Sequence, residues 1–140
     1  MQVSNEPPQN FLAPSLNLSP SSRGMGASGL PGDFSSLSRF VQAVFIKEHA
    51  VNGDSEGESV SQFFHILNAV AQPRGCVRLE DGKYVITIYS CCINTDKGIY
   101  YYTTYENSQI HTVDMHRENL DSAALISFPL KTTETLSFQN

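Results

Sequence analysis

The hydrophobic period of this 140-residue chain changes once, near Gly75, and that change limits the folds open to it. Ahead of Gly75 the apolar residues recur at helical spacing; beyond it they alternate. Helices followed by a run of strands define an α+β architecture and not an alternating α/β one. The spacing predicts two amphipathic helices followed by an antiparallel β meander.

The first helix is expected to start near Ser35 or Ser36, either of which can cap it. Leu37, Phe40, Val41, Val44 and Phe45 give it one apolar stripe. Lys47 and His49 suit the negative end of its dipole, and Asn52-Gly53 breaks it. The second helix opens on a capping box, Ser55 with Glu58, and carries Val60, Phe63, Phe64, Leu67, Val70 and Ala71 on one side until Pro73 closes it. The acidic run Asp54 to Glu58 reads as a helix N-terminus and nothing more.

Strands are expected from about Lys83 to Ile93, from Ile99 to Tyr105 and from Gln109 to Met115, with turns at 94–98 and 106–108. His116 to Leu120 reads as a short helical turn. Ala124–Leu130 and Thr133–Phe138 are weaker strand candidates. Such a meander is apolar on both faces and needs cover on both. Two helices cover one; the other calls for a second sheet or more helices.

Residues 1–29 differ from the rest. Pro7, Pro8, Pro14 and Pro20, then Gly24, Gly26 and Gly29, exclude a regular element there. The organisation is therefore an irregular segment over 1–29 and a folded part over 30–140.

Composition narrows the function. The net charge of -5 argues against nucleic acid, which needs a basic surface. No apolar run approaches the roughly 18 residues of a membrane span, and no secretory signal is visible. Cys76, Cys91 and Cys92 form no disulfide framework: the number is odd, and neighbouring strand residues face opposite ways. A reducing, cytoplasmic setting follows. All three read best as buried free thiols. Together with His49, His65, His111 and His116 they lack metal-site spacing, and His65 on the second helix reads as a packed or hydrogen-bonded side chain. The tyrosines Tyr100, Tyr101, Tyr102 and Tyr105 read as ordinary strand residues, one set packed and one exposed.

Arg39 is the remaining candidate. It follows a helix start beside a glycine-rich loop, where a guanidinium can orient a carboxylate or steady charge developing at a reacting amide. A surface salt bridge is the commoner role, and the residues alone favour it.

Three segments, in order, change that balance. Leu30-Pro31-Gly32-Asp33 leads into Ser38-Arg39-Phe40; Gln62-Phe63-Phe64-His65-Ile66-Leu67 follows; then comes Gly98-Ile99-Tyr100-Tyr101-Tyr102-Thr103-Thr104-Tyr105. Together they resemble the choloylglycine hydrolase family of N-terminal-nucleophile amidases, which includes bile salt hydrolases and penicillin V acylases. The likeness runs from about Gly24 to Asn140. It implies part of a four-layer αββα sandwich, with 30–140 as the C-terminal part of the domain and 1–29 as a loop involved in subunit assembly. It implies a conjugated bile salt hydrolase that cleaves the amide between a bile acid and glycine or taurine, without cofactor or metal, as a homotetramer. In such an enzyme the thiol of an N-terminal cysteine attacks, its own α-amino group serves as base, and asparagine and backbone donors hold the oxyanion. Only the active-site arginine finds a matching position here, Arg39. The cysteine would lie upstream of Met1, so the chain alone is expected to hydrolyse no conjugated bile salt. The alternatives are part of a penicillin V acylase, or a short binding or assembly module without catalysis.

Overall fold

The computed structural model describes residues 29–140. Two helices precede a sheet: α1 (Ser36–His49), α2 (Glu56–Asn68), β1 (Tyr89–Asn94), β2 (Ile99–Thr104) and β3 (Asn107–Asp114). A 3-10 turn, Met115–Arg117, follows β3. The strands form one antiparallel meander in the order β1-β2-β3. The chain divides into two compact units, Met1–Gln42 and Ala43–Asn140.

Within the first unit, Asp33 and Ser35 start α1. The Ser35 side chain accepts from the Ser38 N–H at 3.2 Å and its carbonyl accepts from the Arg39 N–H at 3.0 Å, so Ser35 is the cap. The stripe of α1 is present, but Leu37 is 74% and Phe40 65% exposed.

In the second unit the capping box of α2 forms as expected: the Glu58 N–H donates to Ser55 Oγ and the Ser55 N–H to Glu58 Oε2. The helix stops at Asn68, earlier than Pro73. Val70 and Ala71 belong to the turn beyond it, where their N–H groups bond the carbonyls of Leu67 and Asn68.

The first strand is shorter than its alternation suggests, because residues 83–87 fold back on 72–79 instead of joining the sheet. Leu79 donates to the Lys83 carbonyl, Val85 to that of Val77 and Thr87 to that of Gln72. Arg78 and Tyr84 form an isolated bridge. With those backbone groups committed, β1 begins only at Tyr89. The β1–β2 turn ends at Gly98, whose φ of 63° lies in the left-handed region, and a Cβ there would meet His116 Nε2 at 2.9 Å. The second turn contracts to Tyr105 and Glu106, so β3 starts at Asn107.

Register fixes the faces. Cys91, Tyr102 and His111 lie in one cross-strand row, and Cys92, Tyr101 and Thr112 in the next, on the opposite face. A bulge interrupts the β2–β3 ladder between Tyr102 and Thr104. Both faces of β2 are packed: Tyr101 and Tyr102 are buried, as is Phe64 on α2. The split into one packed and one exposed set of tyrosines therefore does not hold for this adjacent pair.

Helix α2 meets the Tyr101 face. The Tyr102 face receives neither a second sheet nor a helix from the described residues. It receives the C-terminal segment around 128–134, in extended, irregular backbone. The Lys131 N–H donates to the Tyr102 hydroxyl at 3.3 Å, and Thr104 Oγ1 donates to the Lys131 carbonyl at 3.0 Å. The expected strands at 124–130 and 133–138 do not form. Side chains of β2 and β3 take up carbonyls that a ladder would otherwise use.

Candidate functional site

Arg39 lies in the first turn of α1, half-exposed. The loop ahead of it is closed by hydroxyls and one carboxylate. Asp33 Oδ1 accepts the Ser35 N–H at 2.8 Å, and Oδ2 accepts the Ser38 hydroxyl at 2.5 Å. Ser35 Oγ donates to Ser38 Oγ at 3.0 Å, and the Gln42 amide reaches back to the Pro31 carbonyl. Ser38 is buried by this arrangement. Hydrogen bonds from the Ser35 side chain, then from Ser38 and the Ser35 backbone, hold the Asp33 carboxyl down to about 2. The Asp33–Ser38 hydrogen bond fixes the residue immediately ahead of Arg39. Asp33 and Ser38 escaped notice as a pair, although Asp-Phe-Ser at a helix start is the pattern that forms such a cap.

A second polar centre joins α2 to the sheet, and it corrects the reading of the acidic run as helix capping alone. The Glu56 carboxylate accepts from Asn94 Nδ2 at 2.5 Å, the Tyr101 hydroxyl at 2.9 Å and Lys97 Nζ at 2.6 Å. Lys97 first, then Tyr101 and Asn94, holds its carboxyl below the usual range. Burial, then the Glu56 carboxylate, pushes the Tyr101 phenol up. No sequence period marks Glu56, because its partners lie about 40 residues away on a strand whose register is set elsewhere. Beside this centre is a cavity of about 350 Å³ lined by Val60, Phe63, Cys92, Ile93, Asn94 and Tyr101 among others.

The cysteines separate. Cys91 and Cys92 are half-buried on opposite faces of β1, and burial raises the Cys92 thiol. A hydrogen bond with Cys91 pushes the Tyr100 phenol up to about 12. Cys76 is exposed, against the expectation of a buried thiol, because it sits in the turn after Pro73. His65 is likewise exposed, on the outer side of α2, and not packed. His111 is half-buried on β3, 5.3 Å from the Tyr102 ring centroid. Among the described residues no helix is long and apolar enough to cross a membrane.

Comparison with known proteins identifies the group. The family model of linear amide C-N hydrolases, choloylglycine hydrolase family, matches residues 1–128. The chain belongs to the choloylglycine hydrolase family. It is similar to the bile salt hydrolase/transferase of Lactiplantibacillus plantarum, 53% identical over 129 residues, covering 92% of this chain and 40% of that protein. The bile salt hydrolase/transferase of Clostridium perfringens is 41% identical over 118 residues, covering 84% of this chain and 36% of that protein. The chain thus spans about two fifths of the length of these relatives. Among solved structures, a cysteine-to-alanine mutant of the conjugated bile acid hydrolase from Clostridium perfringens superposes with a TM-score of 0.85 at 36% identity, over 99% of this chain and 42% of that one. Penicillin V acylase from Agrobacterium tumefaciens shares the fold alone, with a TM-score of 0.52 at 20% identity over 63% of this chain and 28% of that one. The two helices and antiparallel meander are thus part of the fold of N-terminal-nucleophile hydrolases.

Proposed function

We propose that this chain forms part of a conjugated bile salt hydrolase, which cleaves the amide bond between a bile acid and glycine or taurine. One observation carries the reading: 53% identity sustained across 92% of the chain with a bile salt hydrolase/transferase. The alternative of a penicillin V acylase rests on a likeness at 20% identity, which speaks for fold only. A non-catalytic module is disfavoured by membership of a family of linear amide hydrolases.

In this reading a cysteine thiol supplied from beyond these 140 residues attacks the substrate carbonyl. Its proton passes to the α-amino group and on to the departing glycine or taurine, and water then releases the bile acid from the thioester. Arg39 is the residue of this chain that we assign to the reacting centre. Its guanidinium orients charged groups there, on a base stiffened by the Asp33–Ser38 hydrogen bond. Residues 30–140 belong to the catalytic domain; the segment 1–29, which lies outside the described residues save for Gly29, serves subunit assembly in a tetramer. The cytoplasm is the setting we assign, from three cysteines that form no disulfide.

The test begins with the protein from its native source: intact mass, first residue, and hydrolysis of taurocholate, glycocholate and penicillin V. A longer chain beginning with cysteine and preferring the bile salts is the expected result. Preference for penicillin V, or turnover by the 140-residue chain abolished by changing Cys76, Cys91 or Cys92, would overturn it. In the active protein Arg39→Lys is expected to lower kcat about 100-fold, as loss of a charge-stabilising donor does. Undiminished kcat would remove Arg39 from the centre.

A further inference from the structure

Asn107 is the most deeply buried large side chain among the described residues, at 2% exposure. Its amide is oriented by two contacts that leave no choice of flip. Oδ1 accepts the Gln109 N–H at 2.9 Å, so it must be the oxygen. Nδ2 donates to the Thr133 carbonyl at 2.8 Å, so it must be the nitrogen. The second hydrogen of that nitrogen points at His111 Nε2, 3.1 Å away. An amide N–H can only donate, so His111 Nε2 must accept. That contact requires a neutral imidazole with its proton on Nδ1.

This contact lies where the C-terminal segment is fastened. Thr133 is held by Asn107, Lys131 by Tyr102 and Thr104, and Glu134 by the N–H and hydroxyl of Ser108 at 2.7 and 3.0 Å. All these anchors lie on β2 and β3 around the bulge. Phe128 and Leu130 line a cavity with Tyr100, Tyr102 and Val113, but stay 50% and 54% exposed. A proton on His111 Nε2 would set two donors against each other 3.1 Å apart. Asn107 cannot turn to accommodate it without giving up both Gln109 and Thr133.

We infer that residues 128–134 form a proton-gated strap, latched over the Tyr102 face while His111 is neutral and released when it is protonated. The titratable groups facing His111 are known by element. Cys91 from β1 and Tyr102 from β2 share its cross-strand row, and Tyr100 is two rows along on the same face; in the strap, Glu134 is bound at Ser108 and Lys131 meets the Tyr102 hydroxyl through its backbone N–H. None of these ordinarily changes charge between about pH 8 and 5, whereas a histidine side chain does. Carboxylates take their proton about two units lower.

Hydrogen exchange read by mass spectrometry tests the inference in the whole protein, as protection factors for peptides of the strap and of β2 between pH 8 and 5.5. The expected result is a fall of at least tenfold in strap protection on acidification while β2 stays protected. In His111→Gln, whose amide oxygen can accept from Asn107, strap protection should no longer depend on pH. Glu134→Gln should weaken the strap at every pH and leave the acid response in place. Flat strap protection in the unaltered protein, or an undiminished acid response in His111→Gln, would overturn the gate. Should the variant fold poorly, nitrogen NMR of the unaltered protein decides alone. A His111 Nε2 that carries the proton at pH 8 would sink the idea.

Discussion

Residues 29–42 and residues 43–140 solve the same problem in opposite ways. In the first, polar groups close on their neighbours: Asp33, Ser35, Ser38 and Gln42 each bond a partner within a dozen positions, and Phe40 stays 65% exposed. In the second, polar groups reach across the chain. Glu56 bonds Tyr101 at a separation of 45 residues, Tyr102 bonds Lys131 at 29, and Asn107 bonds Thr133 at 26. The apolar residues follow suit, with Phe64, Tyr101 and Tyr102 buried. Local capping thus sets a conformation, whereas long-range ties and burial set stability.

The sharpest way to break that comparison is to make the same truncation in both regions. Phe64→Ala removes a ring that is 4% exposed and is expected to destabilise the second unit by about 3 kcal/mol. Phe40→Ala, at 65% exposure, is expected to change the stability of this chain by no more than about 0.5 kcal/mol. Urea unfolding of the two variants measures both. Equal effects would mean that the α1 stripe is covered in solution, and the contrast between the regions would fail.

A smaller effect is expected from Asn107→Ala. It leaves the Gln109 N–H and the Thr133 carbonyl without their partner in a part-buried place, at a cost of about 2 kcal/mol. The loss should appear first as faster proteolysis of the C-terminal segment. Smaller again is Ser55→Ala, which removes one side of the α2 capping box and should cost about 1 kcal/mol by the same urea measurement.

What could be read beforehand follows the same division. Both helices, the capping box, the Gly98 turn and β2 depend on neighbours in sequence, and residues such as Ser55, Glu58 and Gly98 announce them. The pieces that escaped depend on partners far away. Residues 83–87 alternate like a strand, yet pair with 72–79 because that partner is closer along the chain than β2. Glu56 looks like any acidic first-turn residue until Asn94, Lys97 and Tyr101 arrive. The strap carries strand-forming residues, but Thr104 and Asn107 engage its carbonyls with side chains, so no ladder forms. At the candidate site, the Leu-Pro-Gly-Asp context points to Arg39, whose place at the reacting centre is our proposal. The Asp33–Ser38 bond that stiffens its base required the folded turn.

The smallest predicted effect probes that local turn by pH. Asp33 is an exposed carboxyl held down to about 2 by the Ser35 side chain, Ser38 and the Ser35 N–H. A depressed carboxyl binds its proton less readily folded than unfolded. Its contribution is therefore complete above the unfolded value near 4 and is lost as the pH falls through it towards 2. Exchange protection of the Ser35 and Ser38 amides should decline over that interval before the β2 amides respond. Asp33→Asn keeps an acceptor oxygen but cannot titrate, so its amides should show lower protection at neutral pH and no further decline on acidification. If both regions instead lost protection together in the unaltered protein, the turn would owe its shape to the rest of the molecule. The separation of local from long-range stability would then be wrong for residues 29–42.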